Sequence, residues 1–244
     1  TTEIYTLSLH DALPILQATP SIAIHDGLGS HTYIHHKQGQ IKRVVPRENE
    51  AINETWLSDR DRFSYTSLSH NRLTQPMRKV DGEWKVVDWE TALTEVAALL
   101  SGQLAQNANS VGALVSPTAS VEELYLLQQL LSAKGCHNID HRLHQQDFAA
   151  DAAGVMPFLP MPIEQVEKVK AALLIGSNLR HEQPLLNQRL RKAAQMRAKV
   201  MAINPVDYDL SYRLSAKATV AMSEMVTMLA GVAQALSANQ ALTA

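Results

Sequence analysis

Between residues 88 and 236 the apolar residues switch repeatedly between two spacings, and this constrains the fold more than any other feature of the sequence. Short continuous apolar runs at 111–116, Ala171–Ile175 and Lys199–Asn204 have the length and composition of buried strands. Stretches with helical spacing lie between them. Asp88 can cap a helix that carries Leu93, Val96, Ala97, Leu100 and Leu104 on one face. Ser120 and Glu123 form a capping-box pair ahead of Leu124, Leu127 and Leu131, and Gly135 ends that helix. A helix from about 183 to 197 carries Leu186, Leu190 and Ala193. A last one aligns Met222, Met225, Val226, Leu229, Val232, Ala233 and Leu236. Shorter strands are expected at 137–140 and 219–221, and the three prolines of 155–162 mark a loop. Strands alternating with helices imply crossover units and a mainly parallel sheet, hence a doubly wound α/β fold. The expected sheet has 111–116, 171–175 and 199–203 as neighbours.

The chain before residue 88 follows another rule. Runs at 31–36 and 40–45 flank Lys37-Gln38-Gly39, and runs at 77–80 and 84–87 flank Asp81-Gly82. Both read as hairpins, the second with a strong Asp-Gly turn signal. A short helix is expected around 56–63 in the polar segment between them. The first fifteen residues, TTEIYTLSLHDALPI, lack the basic start of a signal peptide and are interrupted by His10, Asp11 and Pro14. They read as a non-native leader derived from a sequencing adapter. The expected division is therefore 1–15 leader, 16–87 small β-rich subdomain, and 88–244 α/β domain, incomplete at its carboxyl end.

Charge and cysteine content narrow the function. Twenty-two basic and 24 acidic residues leave a net charge of −2, which gives no electrostatic reason for a nucleic-acid partner. No apolar run approaches the roughly 20 residues that span a bilayer, so direct membrane insertion is not expected. Cys136 is the only cysteine, too few for an internal disulfide, a paired-cysteine zinc site or a four-thiolate cluster.

Several local patterns carry possible chemistry. Gly176-Ser177-Asn178 stands between a strand and a helix, where an α/β sheet offers backbone N–H groups to a phosphate; the other reading is a tight turn. Asp26-Gly27-Leu28-Gly29 contains a G-x-G but precedes a hairpin, so it reads as a turn. His31, His35 and His36 lie on one strand, and His137, His141 and His144 have helix-compatible spacing. Neither set has a carboxylate motif beside it, so structural or exposed histidines are expected, with no metal site. Arg189, Arg191, Lys192, Arg197 and Lys199 make a locally basic helix, expected to be a solvated face. No nucleophile–base arrangement has local support, and no catalytic residue is assigned.

RVVPRENEAINETWLSDRDRFSY from Arg43 and SIAIHDGLGS from Ser21 resemble the large iron–sulfur subunit of respiratory NADH:quinone oxidoreductase. So do Leu73-Thr74-Gln75-Pro76-Met77 and GSNLRHEQPLLNQRLRK from Gly176. That subunit contains a molybdopterin-oxidoreductase-like domain. In the superfamily a cluster is often held by C-x₂-C-x₃-C and a fourth cysteine; the positions matching it here are Ala23, Asp26, Ser30 and Ser58. Asp59-Arg60-Asp61-Arg62-Phe63 keeps the surrounding frame. Asn138-Ile139-Asp140-His141-Arg142-Leu143 matches the frame near the molybdenum ligand, and His144 falls at the ligand's place. The resemblance implies a scaffold and docking domain with no cofactor in this segment, and with iron–sulfur clusters on an absent amino-terminal region. It also implies other peripheral-arm subunits as partners, on the cytoplasmic side of the bacterial inner membrane or the matrix side in mitochondria. The alternative is a fragment of a molybdopterin-dependent dehydrogenase of the formate-dehydrogenase type.

Overall fold

The computed structural model describes residues 16–141 and 158–238. Residues 1–15, read above as a leader, Arg142 to His144 and the first part of the 155–162 loop lie outside the described residues. By contacts the chain forms two units: residues up to Tyr65 together with those from Phe158, and the stretch Thr66–Pro157 between them.

The first unit opens with an antiparallel sheet of β1 (Gln17–Ile22), β2 (His31–Lys37) and β3 (Gln40–Pro46), in that order. Gln17 pairs with His36 and Ile22 with His31. The expected β2–β3 hairpin is present, and Gln38 and Gly39 both take positive φ at its tip, 50° and 73°. A mirror-image turn of this kind matches the right-handed twist of the flanking strands. Helix α1 is confined to Asp59–Phe63, because Ser58, itself extended, is its N-cap and its side chain accepts from the Asp61 N–H.

The same unit contains the parallel sheet, β8 (Ala171–Ile175), β9 (Lys199–Asn204) and β10 (Ala216–Thr219), ordered β10-β9-β8. Its first two strands have the expected bounds, and Ala171 pairs with Lys199. The third falls earlier than the expected 219–221. The helix expected at 183–197 is present as α5 (Pro184–Gln195), and a short helix that was not expected, α4 (Leu179–Glu182), precedes it. Pro184 begins α5, since its missing N–H is no loss in a first turn. Arg197, at φ 71°, turns the chain out of the helix and into β9. Val166, Leu179, Leu190, Ala193, Val200 and Leu210 make the buried core. Helix α6 (Met225–Ser237) closes the described chain.

The second unit holds the hairpin β4 (Met77–Val80) and β5 (Glu83–Val86), turning at Asp81 and Gly82 with φ 52° and 87°. Helix α2 (Trp89–Gln106) is capped by Asp88, whose carboxylate accepts from the Thr91 N–H at 2.7 Å. Helix α3 (Val121–Ser132) has the full capping box of Ser120 and Glu123. Gly135 reverses the chain after it at φ 76°. Leu104, Leu131 and Cys136 form the core.

One topological expectation fails. Of the run 111–116 only β6 (Ala113–Leu114) is a strand, and its partner is β7 (Ile139–Asp140), in parallel. Among the described residues it does not share a sheet with Ala171–Ile175. The Val111 carbonyl accepts from the Cys136 Sγ at 3.3 Å and the Asn138 Nδ2 at 3.1 Å, so side chains fill the place of a ladder bond. The fold class itself stands: a mixed α/β chain with a small antiparallel part at its start. Among the described residues no helix is long and apolar enough to cross a membrane.

Candidate functional site

Two segments of the first unit meet at the four positions singled out by sequence. The loop between β1 and β2 carries Ala23, Asp26 and Ser30, and Ser58 caps α1. The Ala23 N–H donates to the Ser30 carbonyl at 2.8 Å and closes the loop on itself. Inside it the Asp26 carboxylate accepts from the Leu28 N–H at 3.0 Å, an Asx turn. Gly29 then requires φ 69°, a conformation costly for side chains larger than hydrogen.

An ion pair and a histidine–carboxylate hydrogen bond tie this loop to α1. Arg60 Nη2 donates to Asp26 Oδ2 at 3.0 Å, and His25 Nδ1 lies 2.8 Å from Asp61 Oδ1. The other Asp61 oxygen accepts from the Ser58 hydroxyl at 2.6 Å, while that hydroxyl accepts from the Asp61 N–H. Asp61 is almost wholly enclosed, and these partners satisfy both of its carboxylate oxygens. Ser30 is fully buried, and its hydroxyl has no hydrogen-bond partner.

The turn after β8 is filled from within. Gly176 takes φ 59°, and its N–H donates to the Ile203 carbonyl. The Ser177 N–H donates to Asn204 Oδ1 at 2.9 Å, and Asn204 Nδ2 returns a bond to the Ser177 carbonyl. Glu182 reaches back from α4 to accept from the Ser177 hydroxyl at 2.9 Å and the Asn178 N–H at 3.1 Å. The donors that could face a phosphate therefore already hold the protein's own carboxylate. The turn reading fits this geometry better than a working phosphate site.

The basic helix differs from expectation. Arg189 is buried and donates to the Glu50 carbonyl at 2.6 Å, the Ile52 carbonyl at 3.0 Å and the Glu167 carboxylate at 2.7 Å. Lys192 bridges Glu54 at 2.6 Å and Glu167 at 3.0 Å. Burial alone would pull the Lys192 ammonium down, but its hydrogen bonds to Glu54 and Glu167 outweigh that and raise its pKa. Sequence reasoning missed this clamp, because most of its acceptors lie more than a hundred residues away. Asn53 was missed because its partners are spread along the chain with no local motif. It is buried, accepts from the His31 N–H, and donates to the Arg47 and Trp56 carbonyls.

The histidines carry no metal pattern. His31 Nδ1 accepts from Arg47 and His35 Nδ1 from Arg43, so these lone pairs face guanidinium groups. Among the described residues no cluster of three or more His, Cys, Asp or Glu is placed to hold a metal ion.

Residues 72–241 match the family model described as molybdopterin oxidoreductase. The chain belongs to that family. Residues 16–66 match a second model, described as the NADH-ubiquinone oxidoreductase NDSU1/NuoG-like 4Fe-4S domain. Two curated relatives bear out the resemblance. The NADH-ubiquinone oxidoreductase 75 kDa subunit of Reclinomonas americana is 34% identical over 81% of this chain and 30% of its own length. An NADH-quinone oxidoreductase subunit of Rickettsia bellii is 36% identical over 72% of this chain and 25% of its own. The chain thus spans less than a third of these relatives. Acetylene hydratase from Pelobacter acetylenicus shares the family fold, with a TM-score of 0.63 at 16% identity over 82% of this chain and 29% of that one.

The second match corrects one expectation. The sequence reading places no cofactor in this segment, yet residues 16–66 match a 4Fe-4S domain, which points to an iron–sulfur site there. That expectation takes the retained frame of Asp59 to Phe63 without its cysteines as a cradle that holds no cluster. The side chains described do not themselves fit a thiolate-ligated cluster: 16–66 has no cysteine, Asp26 is paired with Arg60, and Ser58 is engaged in its cap.

Proposed function

We propose that this chain is part of the large iron–sulfur subunit of an NADH:quinone oxidoreductase and serves as scaffold and docking domain in NADH-to-quinone electron transfer. The observation that carries the reading is the identity of 34% and 36% to subunits of such enzymes over most of the chain. The clamp of Arg189 and Lys192 supports it. It ties residues 50–54 of the iron–sulfur-type part to helix α5. In this reading the divisions 1–15, 16–87 and 88–244 are divisions of origin. Ala23, Asp26, Ser30 and Ser58 are altered ligand positions, and Gly176, Ser177 and Asn178 are a vestigial pocket. Its partners are other peripheral-arm subunits of complex I. Its place is the cytoplasmic face of the bacterial inner membrane, or the matrix face in a mitochondrion.

The test is replacement. This segment is exchanged for the corresponding stretch of the large iron–sulfur subunit in a bacterium whose own copy is deleted. Complex assembly is followed on native gels and NADH-dependent quinone reduction in membranes. Assembly with retained activity supports the reading; a complex that fails to assemble, with the hybrid subunit present and folded, overturns it. The family match over 72–241 also favours a second reading, a piece of a molybdopterin-dependent dehydrogenase. Stoichiometric molybdenum in the purified longer protein would decide for it.

A further inference from the structure

Arg60 stands between two features that the sequence keeps far apart. On one side it holds Asp26 in the β1–β2 loop at 3.0 Å. On the other it donates to the carbonyls of His181 at 3.2 Å and Glu182 at 3.1 Å, the last two residues of α4. Carbonyls at a helix end have no partner within the helix, and a guanidinium fork suits several of them together. The same α4 sends the Glu182 side chain back to the Ser177 hydroxyl and the Asn178 N–H. Asp26, Arg60, α4, Glu182 and the turn after β8 therefore form one unbroken chain of hydrogen bonds.

We propose that Arg60 is a positioning residue that fixes the turn after β8 from the iron–sulfur-type loop, by seating α4 so that the Glu182 carboxylate reaches Ser177 and Asn178. The inference rests on this chain's own contacts and stands whichever oxidoreductase the chain is part of. Arg60 touches neither Ser177 nor Asn178 in this arrangement; its influence on them runs through α4. A local loss at the loop should therefore be felt at the turn, while the sheet behind it stays closed.

Amide hydrogen exchange on the full chain, resolved by residue, reads this out. In Arg60→Gln the Asn178 amide should exchange about tenfold faster or more, while the amides of β9 keep their rates. Glu182→Gln sets the scale, since it weakens the same amide's bond directly. If Arg60→Gln loosens β9 as well, Asp26→Asn decides, because it leaves the guanidinium in place and removes only the charge that orients it. Faster exchange at Asn178 with β9 unchanged supports the proposal. Parent-like protection of Asn178 in a folded Arg60→Gln or Asp26→Asn chain overturns it, and assigns Arg60 to the β1–β2 loop alone.

Discussion

Replacing Arg189 by alanine would strip a buried guanidinium from two carbonyls and the Glu167 carboxylate. Breaking a buried ionic network in this way costs about 3–5 kcal/mol. Urea unfolding of Arg189→Ala should show a loss near the low end, because Glu167 is partly exposed. Tyr212 gives the opposite sign. Its hydroxyl is buried without a partner, and burial pushes its pKa up to about 12. A buried hydroxyl left unpaired costs about 1–3 kcal/mol, so Tyr212→Phe should be neutral or stabilising in the same assay. The folded state keeps this proton above pH 10, where the unfolded chain releases it. Stability is therefore intact below the ordinary tyrosine pKa near 10 and is lost as pH rises from there to about 12. A tyrosinate absorbance titration of parent and Tyr212→Phe would isolate this group. For Lys192 the raised pKa likewise means a contribution present below the ordinary lysine value and lost above it.

At the level of elements, caps matter more than propensity. Helix α2 begins where the Asp88 carboxylate accepts from the Thr91 backbone and hydroxyl, and that backbone bond, chiefly, lowers the Asp88 pKa. A lowered carboxylate pKa gives stability present above the unfolded value of 3.8 and lost as pH falls through the folded one. Helical circular dichroism should fall in that acid range in the parent. In Asp88→Ala it should be lower at neutral pH and lack that step. Helix α1 depends on Ser58 in a similar way, with Asp61 behind it. Ser58→Ala removes a cap worth about 1 kcal/mol and also a hydrogen bond to a buried carboxylate. Its unfolding midpoint should therefore drop by more than an ordinary capping mutation costs. These elements could be read from sequence because caps, Asp-Gly turns and Pro184 act within a few residues. The shortened β6 and the extra helix α4 could not, since they turn on bonds to Cys136 and Asn138 and on the Arg60 bond to the His181 carbonyl.

Among the described residues there are two buried clusters with no residue in common, one around Leu190 and Val200, the other around Leu131 and Cys136. Leu190→Ala removes a large buried side chain, at a cost of about 2–5 kcal/mol. Hydrogen exchange should accelerate across β8, α5 and β9 and leave α3 unchanged. Acceleration in both regions would mean that the clusters share one cooperative unit. The sequence by itself determined the alternation of strands and helices, both hairpins, the capped helix starts and the family frame around Ser58 and Gly176. The elements are set by spacing along the chain, whereas the frame is what the family resemblance implies. Tertiary structure alone decided which strands share a sheet and that Arg189 is buried rather than solvated. It also decided that Glu182 fills the turn after β8 and that Arg60 joins Asp26 to α4. Most of these depend on groups separated by tens to more than a hundred residues, and local periodicity carries no information about which backbone carbonyl or carboxylate will complete a side chain's hydrogen bonds.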